Sequence, residues 1–354
     1  MDMGVADLGG GPPVDGHGSH AAGLSLVSLS GPRTGDPDVE VTLEARQGRF
    51  TLASGEELDG YTLNGTSPGP SLRATEGDLI QVTLRNVDVE DGTTLHWHGV
   101  DLPNAEDGVA GVTQDAVRPG SSHVYRFVAE DPGTYWYHSH QVSHEQVRRG
   151  LFGVLVVEPA DALEQDADPV AAVHSFRGRR TINGRTGVSR LAASPGDVLR
   201  LRMVNTDNAH LRTWVTGGSY RVLAVHARDL HEPGVVRDKH LVLAAGGRAD
   251  LELAVPSDGS ALTVDLGGGT ALVVGPADAP AVDADAPREV LDLLSYGTPA
   301  PLGFDATRFD RSFDYDIGRR PGFLDGRPGM WWTVNGKLLP DVPMYMVEGA
   351  TSSG

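Results

Sequence analysis

Cysteine is absent from the 354 residues, which excludes disulfides, Cys-ligated zinc and thiol chemistry within the chain and leaves its compartment open. Lysine is nearly absent too: Lys239 and Lys337 stand alone, and arginine supplies the other basic side chains. Positive charge is in deficit overall. The 29 Lys and Arg against 48 Asp and Glu leave a net charge of −19, the wrong sign for holding nucleic acid or an anionic membrane surface. No apolar run approaches the roughly 20 residues of a membrane span; the longest is near Leu151-Phe152-Gly153-Val154-Leu155-Val156-Val157. Met1 to Gly23 lacks the basic and apolar segments of a signal peptide and is rich in Gly, Asp and His, so a flexible tail is expected there, His17 and His20 included. Convincing helical periodicity is missing outside short stretches such as His144 to Arg149.

What remains is a turn-rich chain, with 46 Gly, 23 Pro and 39% hydrophobic residues. An internal repeat organises it. The first copy runs Asn64-Gly65, Glu76-Gly77-Asp78, then a strand ending at Asn86; the second runs Asn183-Gly184, Pro195-Gly196-Asp197, then a strand ending at Asn205, at the same spacing. Ile80, Val82 and Leu84 alternate with polar residues, as Leu199, Leu201 and Met203 alternate with Arg200 and Arg202. That pattern predicts half-buried strands with one solvated face. A third copy begins at Val334-Asn335-Gly336 and stops after Glu348-Gly349, so a cut third domain is expected. Short strands with regularly spaced turns point to antiparallel Greek-key sandwiches or barrels, an all-β class. The expected organisation is a flexible segment at 1–37, domains at 38–160 and 161–280, a Pro/Gly/Asp-rich surface connection at 281–330, and the start of a third domain at 331–354.

The chemistry-bearing residues are two His-x-His pairs, His96-Trp97-His98 and His138-Ser139-His140. Each follows an apolar or aromatic run that reads as a strand, and on a strand residues i and i+2 share a face, roughly 6–7 Å apart. Two such strands side by side would offer four imidazoles to one surface, a donor set suited to copper, zinc, iron or nickel. Four histidines merely satisfied in a core is the poorer reading in a chain that is not otherwise His-rich. A three-His zinc site with an open water position fits the spacing alone. A cupin-like site of His138, His140 and Glu145 misses its glycine spacing by one residue at each end and leaves His96 and His98 unexplained. His144 reads as a surface or supporting residue. Trp331 and Trp332 read as packing residues on an interdomain surface.

The framing of these pairs resembles the three-domain multicopper oxidases, the laccase-like family. The resemblance covers nearly all of residues 38–349 and rests on Leu95-His96-Trp97-His98-Gly99, Asp107-Gly108 before Val112-Thr113-Gln114, Gly133-Thr134-Tyr135-Trp136-Tyr137-His138-Ser139-His140, Gly150-Leu151-Phe152-Gly153, Ile182-Asn183-Gly184 and Asn335-Gly336-Lys337. It implies two cupredoxin-like sandwiches and the beginning of a third. It implies copper, with His96 resembling a type 2 ligand and His98, His138 and His140 resembling type 3 ligands, and dioxygen and a small reducing substrate as partners of the complete enzyme. Asp107 resembles the acid that orients the cluster and relays protons, though an Asp-Gly turn residue explains it nearly as well. An extracytoplasmic location is implied as well. The departures matter: no Cys exists to hold a blue copper, and residues 331–354 contain no His for the other half of the cluster. A non-catalytic cupredoxin scaffold or copper-binding protein is the alternative, against which both intact His pairs speak.

Overall fold

The computed structural model describes residues 6–7, 28–161, 163–302, 312–324, 326–338 and 344–345. They fall into two compact units, one of residues 24–299 and one of residues 1–23 with 300–354. His17, His20 and the Glu348-Gly349 turn lie outside the described residues.

The larger unit holds two β-sandwiches. In the first, one sheet runs in the order Glu57–Leu63, Val39–Thr51, Leu79–Asn86, Ser122–Val128, and the other Leu72–Thr75, Phe152–Glu158, Gly133–His138, His96–His98. The repeat is visible in the pairing. Leu79–Asn86 lies parallel to Val39–Thr51 and antiparallel to Ser122–Val128; in the second sandwich Val198–Asn205 lies parallel to Val170–Phe176 and antiparallel to Arg248–Ala254. Asn64, Asn183 and Asn335 all adopt positive φ, of 54°, 51° and 50°, each followed by a glycine also at positive φ. This is the turn chemistry that Asn-Gly favours. In all three the side-chain oxygen accepts a backbone N–H, from Glu44, Ala172 and Asp316 at 2.7, 2.8 and 2.7 Å. The third copy therefore begins as the other two do.

Each sandwich has its own core. Leu43, Ile80, Val82, Leu84, Trp97, Tyr125, Phe127 and Tyr137 fill the first, and Leu199, Leu201, Met203, Val222, Leu241, Leu251 and Leu262 the second. A further cluster spans them: Phe152, Val154 and Val156 pack with Trp136 against Ala172, Phe176 and Val204. Residues Phe152 to Val157 are thus buried on both faces, which explains an apolar run that is neither alternating nor long enough for a membrane. Among the described residues no helix is long and apolar enough to cross one. The expected short helix runs Ser143–Arg148.

Two expectations need correction. Arg202, expected on a solvated face, is 1% exposed; its guanidinium donates to Asp168 at 2.9 Å and Asp250 at 3.1 Å. Arg200 reaches the same Asp250 at 2.8 Å, and Thr134 of the first sandwich donates to it at 2.7 Å. That face is covered by the neighbouring sandwich, which periodicity alone cannot reveal. In the smaller unit, the stretch read as a surface connection contains the strand Ile317–Leu324, antiparallel to Arg327–Val334. Gly318, Pro321, Gly322, Pro328 and Gly329 depress its strand propensity and hid it. Trp331 donates its Nε1–H to the Gly322 carbonyl at 3.0 Å, while Trp332 is 68% exposed beneath the Arg319 guanidinium.

Candidate metal centre

His96–His98 is the edge strand beside Gly133–His138, antiparallel, with His96 opposite His138, Trp97 opposite Tyr137 and His98 opposite Trp136. Trp97 points into the core between Tyr125, Phe127 and Tyr137, which sends His96 and His98 to the other face. The nitrogens of His96, His98 and His138 lie within 4.8 Å of one another. His140 lies past the end of the strand, its ring centroid 5.3 Å from that of His96 and 6.3 Å from that of His138. The two strands bring His96, His98 and His138 together; His140, expected as a fourth ligand, borders this group of three without belonging to it.

Asp107 reaches the site through a turn that only glycine can complete. A Cβ on Gly108 would stand 1.7 Å from the Leu95 carbonyl oxygen, and its φ is +68°. Folded back in this way, Asp107 receives the His96 Nδ1–H on its carbonyl at 2.9 Å, with its carboxylate Oδ1 at 3.0 Å. Asp107 is thus a turn residue whose carboxylate faces a histidine. His138 donates Nδ1–H to the Ser139 carbonyl at 2.8 Å. A carbonyl oxygen can only accept, so Nδ1 carries the hydrogen in both rings and Nε2 keeps its lone pair. Ser139 is itself buried and bonded: it accepts from Thr93 at 3.1 Å and donates to Gln146, which donates to the Gly92 carbonyl at 2.9 Å. The sequence offered no cue to this buried polar support, because its members sit at unrelated positions.

Electrostatics separate the rings. Burial pushes His138 down to about 3, and burial followed by the Arg248 charge pushes His98 down to about 4. Burial and the neighbouring His96 lower His140 as well. His96 is opposed by burial, but the Asp107 side chain and carbonyl more than offset it, and its pKa lies above the ordinary value. Three neutral imidazoles beside one held by a carboxylate suit a borderline metal such as copper or zinc; the donors contain no thiolate and no carboxylate ligand. Trp136 closes one side, its ring centroid 4.2 Å from His138 and 4.9 Å from His98.

Among the described residues the remaining histidines lie outside this group; His226, 3.4 Å from the Arg248 guanidinium, adds to the lowering of His98. His144 is exposed, within 3.0 Å of Asn208. His174 is buried between Phe152 and Phe176, where burial lowers its pKa. Glu145 pairs with Arg149 at 2.7 Å rather than facing the site, which removes the cupin-like arrangement.

Residues 44–162 match the sequence pattern of the family described as multicopper oxidase. The chain is 33% identical over 202 residues to Laccase-1 of Botryotinia fuckeliana, covering 49% of this chain and 36% of that protein. It is 40% identical over 144 residues to copper resistance protein A of Escherichia coli, covering 39% of this chain and 23% of that protein. It therefore spans well under half the length of these curated relatives. The crystal structure of a multi-copper oxidase from Pseudomonas thermotolerans superposes with a TM-score of 0.62 at 30% identity, over 71% of this chain and 67% of the other.

Proposed function

Because this chain belongs to the multicopper oxidase family, we propose that its first sandwich provides half of a copper cluster, held by His96, His98, His138 and His140. The observation that carries this reading is the convergence of the His96, His98 and His138 nitrogens within 4.8 Å, on rings of which two are held neutral by burial. Copper bound there supplies one-electron chemistry toward dioxygen.

The residues of this chain divide the remaining work. Asp107 fixes the His96 tautomer and keeps a proton at Nδ1 beside a carboxylate, where protons consumed in reducing dioxygen to water can be passed inward. The Ser139 carbonyl does the same for the orientation of His138. Trp136 keeps water from one side of the site. In the complete enzyme these groups serve the one-electron oxidation of a small reducing substrate coupled to dioxygen reduction. In this reading the domain at 38–160 bears the ligands, the domain at 161–280 bears none, and 331–354 begins a third. An extracytoplasmic setting accompanies this reading.

The 354 residues hold no Cys, so electron entry through a thiolate-bound copper, and the other imidazoles of the cluster, must come from residues outside them. That absence favours a second reading, a copper-binding or interaction protein without turnover. The test is metal analysis of the purified chain after copper loading and desalting, beside a His98→Ala/His138→Ala double variant. Retention of copper by the parent and its loss from a folded double variant supports the half-site. Equal copper in both would falsify it.

A further inference from the structure

His96 and His138 each have a hydrogen bond that fixes the ring. The His98 ring has none among the described residues. Something else must hold it, and the contacts lie on the second sandwich. The turn Ala244–Gly247 joins the strands Lys239–Leu243 and Arg248–Ala254. A Cβ built on Gly246 would stand 2.9 Å from Cε1 and 3.2 Å from Nε2 of His98, and 3.5 Å from Cζ2 of Trp136. The bare backbone of Gly246 therefore forms a wall against one edge of the ring while Trp136 covers a face. One residue on, a Cβ at Gly99 would stand 2.2 Å from a guanidinium nitrogen of Arg248. Arg248 is 4% exposed and donates to the Thr134 carbonyl at 3.2 Å and the Gly246 carbonyl at 3.2 Å. Thr134 belongs to the strand that carries His138.

The turn is rigid. Asn205, the residue that ends the second repeat strand, donates to the Ala244 carbonyl at 2.8 Å and the Leu243 carbonyl at 3.3 Å, and accepts at its own carbonyl from Gly246 N–H at 2.9 Å. Its own N–H donates to the Gly247 carbonyl at 2.9 Å. A fixed turn, a fixed arginine and a ring without a hydrogen bond of its own make one mechanical unit.

We infer that the ligand-free second sandwich positions His98 for metal binding, with Gly246 seating the Cε1–Nε2 edge of the ring and Arg248 clamping Gly99 beside it. These are positioning residues, and the inference rests on the half-site reading above. Partners that orient a ligating imidazole typically change metal affinity about 10–100-fold when lost. At this ring the orienting partner is steric contact.

The test is copper affinity and the Cu(II) paramagnetic resonance spectrum of the whole chain, in the parent, Gly246→Ala and Gly196→Ala. Gly196 has a φ of +90° and nothing within 4 Å of a built Cβ, so it carries the backbone strain of the substitution at φ +70° without the contact. Expected is a loss of affinity of about 10-fold or more and an altered spectrum for Gly246→Ala, with Gly196→Ala matching the parent. If Gly246→Ala does not fold, Arg248→Met, which strains no backbone, is expected to weaken binding in the same way. A folded Gly246→Ala or Arg248→Met chain that binds copper as the parent does overturns the inference and leaves the half-site standing. A parent that binds no copper overturns both.

Discussion

His96 and His138 face each other across two antiparallel strands as a registered pair, ring centroids 5.2 Å apart. They are opposites in proton affinity: His96 is raised above the ordinary value by Asp107, and His138 is pushed down to about 3 by burial. The proton that competes with metal therefore sits on His96.

Copper binding should accordingly fade as pH falls through the region at and above the usual imidazole pKa of about 6.5, and not near 3 or 4. Asp107→Asn removes the carboxylate that raises His96, so its binding midpoint should move to lower pH. Binding isotherms from pH 5 to 8 check this; superimposable pH profiles for parent and variant would refute the assignment.

Metal-free stability should also follow pH. His98 and His138 have folded pKa values below the unfolded 6.5, near 4 and 3. Below about pH 6.5 the unfolded chain takes up protons that the native rings refuse, so stability falls as pH drops toward 4. His96 works the other way, because its raised pKa adds stability below 6.5 that is lost as pH rises through the folded value. The lowered rings, His140 among them, outweigh the one raised ring. Chemical unfolding at pH 7 and pH 5 should show less acid sensitivity in His138→Phe than in the parent, and an unchanged difference would count against it.

Asp250→Ala should destabilise the chain by about 3 kcal/mol, since removing one partner of a buried pair leaves an uncompensated charge. Arg202 and Asp250 are both 1% exposed, and Arg202 keeps Asp168 at 2.9 Å as a partial substitute. Urea unfolding measures the change; a loss below about 1 kcal/mol, no more than an exposed pair is worth, contradicts the account.

The chain by itself should be colourless near 600 nm and should not oxidise phenolic dyes when copper-loaded, because no thiolate is available for electron entry. Absorbance and oxygen uptake test this together. Catalytic dye turnover with dioxygen consumption would show that electrons enter by another route.

The sequence was legible where local chemistry repeats. Asn-Gly turns, alternating strands and two His-x-His pairs specify themselves within a few residues, whereas the register that sets His96 opposite His138 comes from the sheet. Asp107 could be suspected from Asp-Gly, but its approach to His96 depends on Gly108 closing against Leu95. What stayed hidden depends on contacts between distant segments. Arg202 reads as a solvated residue until Thr134, Asp168 and Asp250 surround it. Ala244-Ala245-Gly246-Gly247 reads as an ordinary turn, with no sign that His98 rests on it. The hairpin at Ile317–Val334 was masked by its own glycines and prolines.

The strand Phe152–Glu158 belongs to the core on one face and to the joint between sandwiches on the other. Severing the chain near residue 160 would turn Phe152, Val154 and Val156 outward to water and strip Arg202 from its neighbours at Thr134. The two halves should therefore melt together: a calorimeter should record a single cooperative transition for residues 24–299, because the joint is a shared apolar cluster.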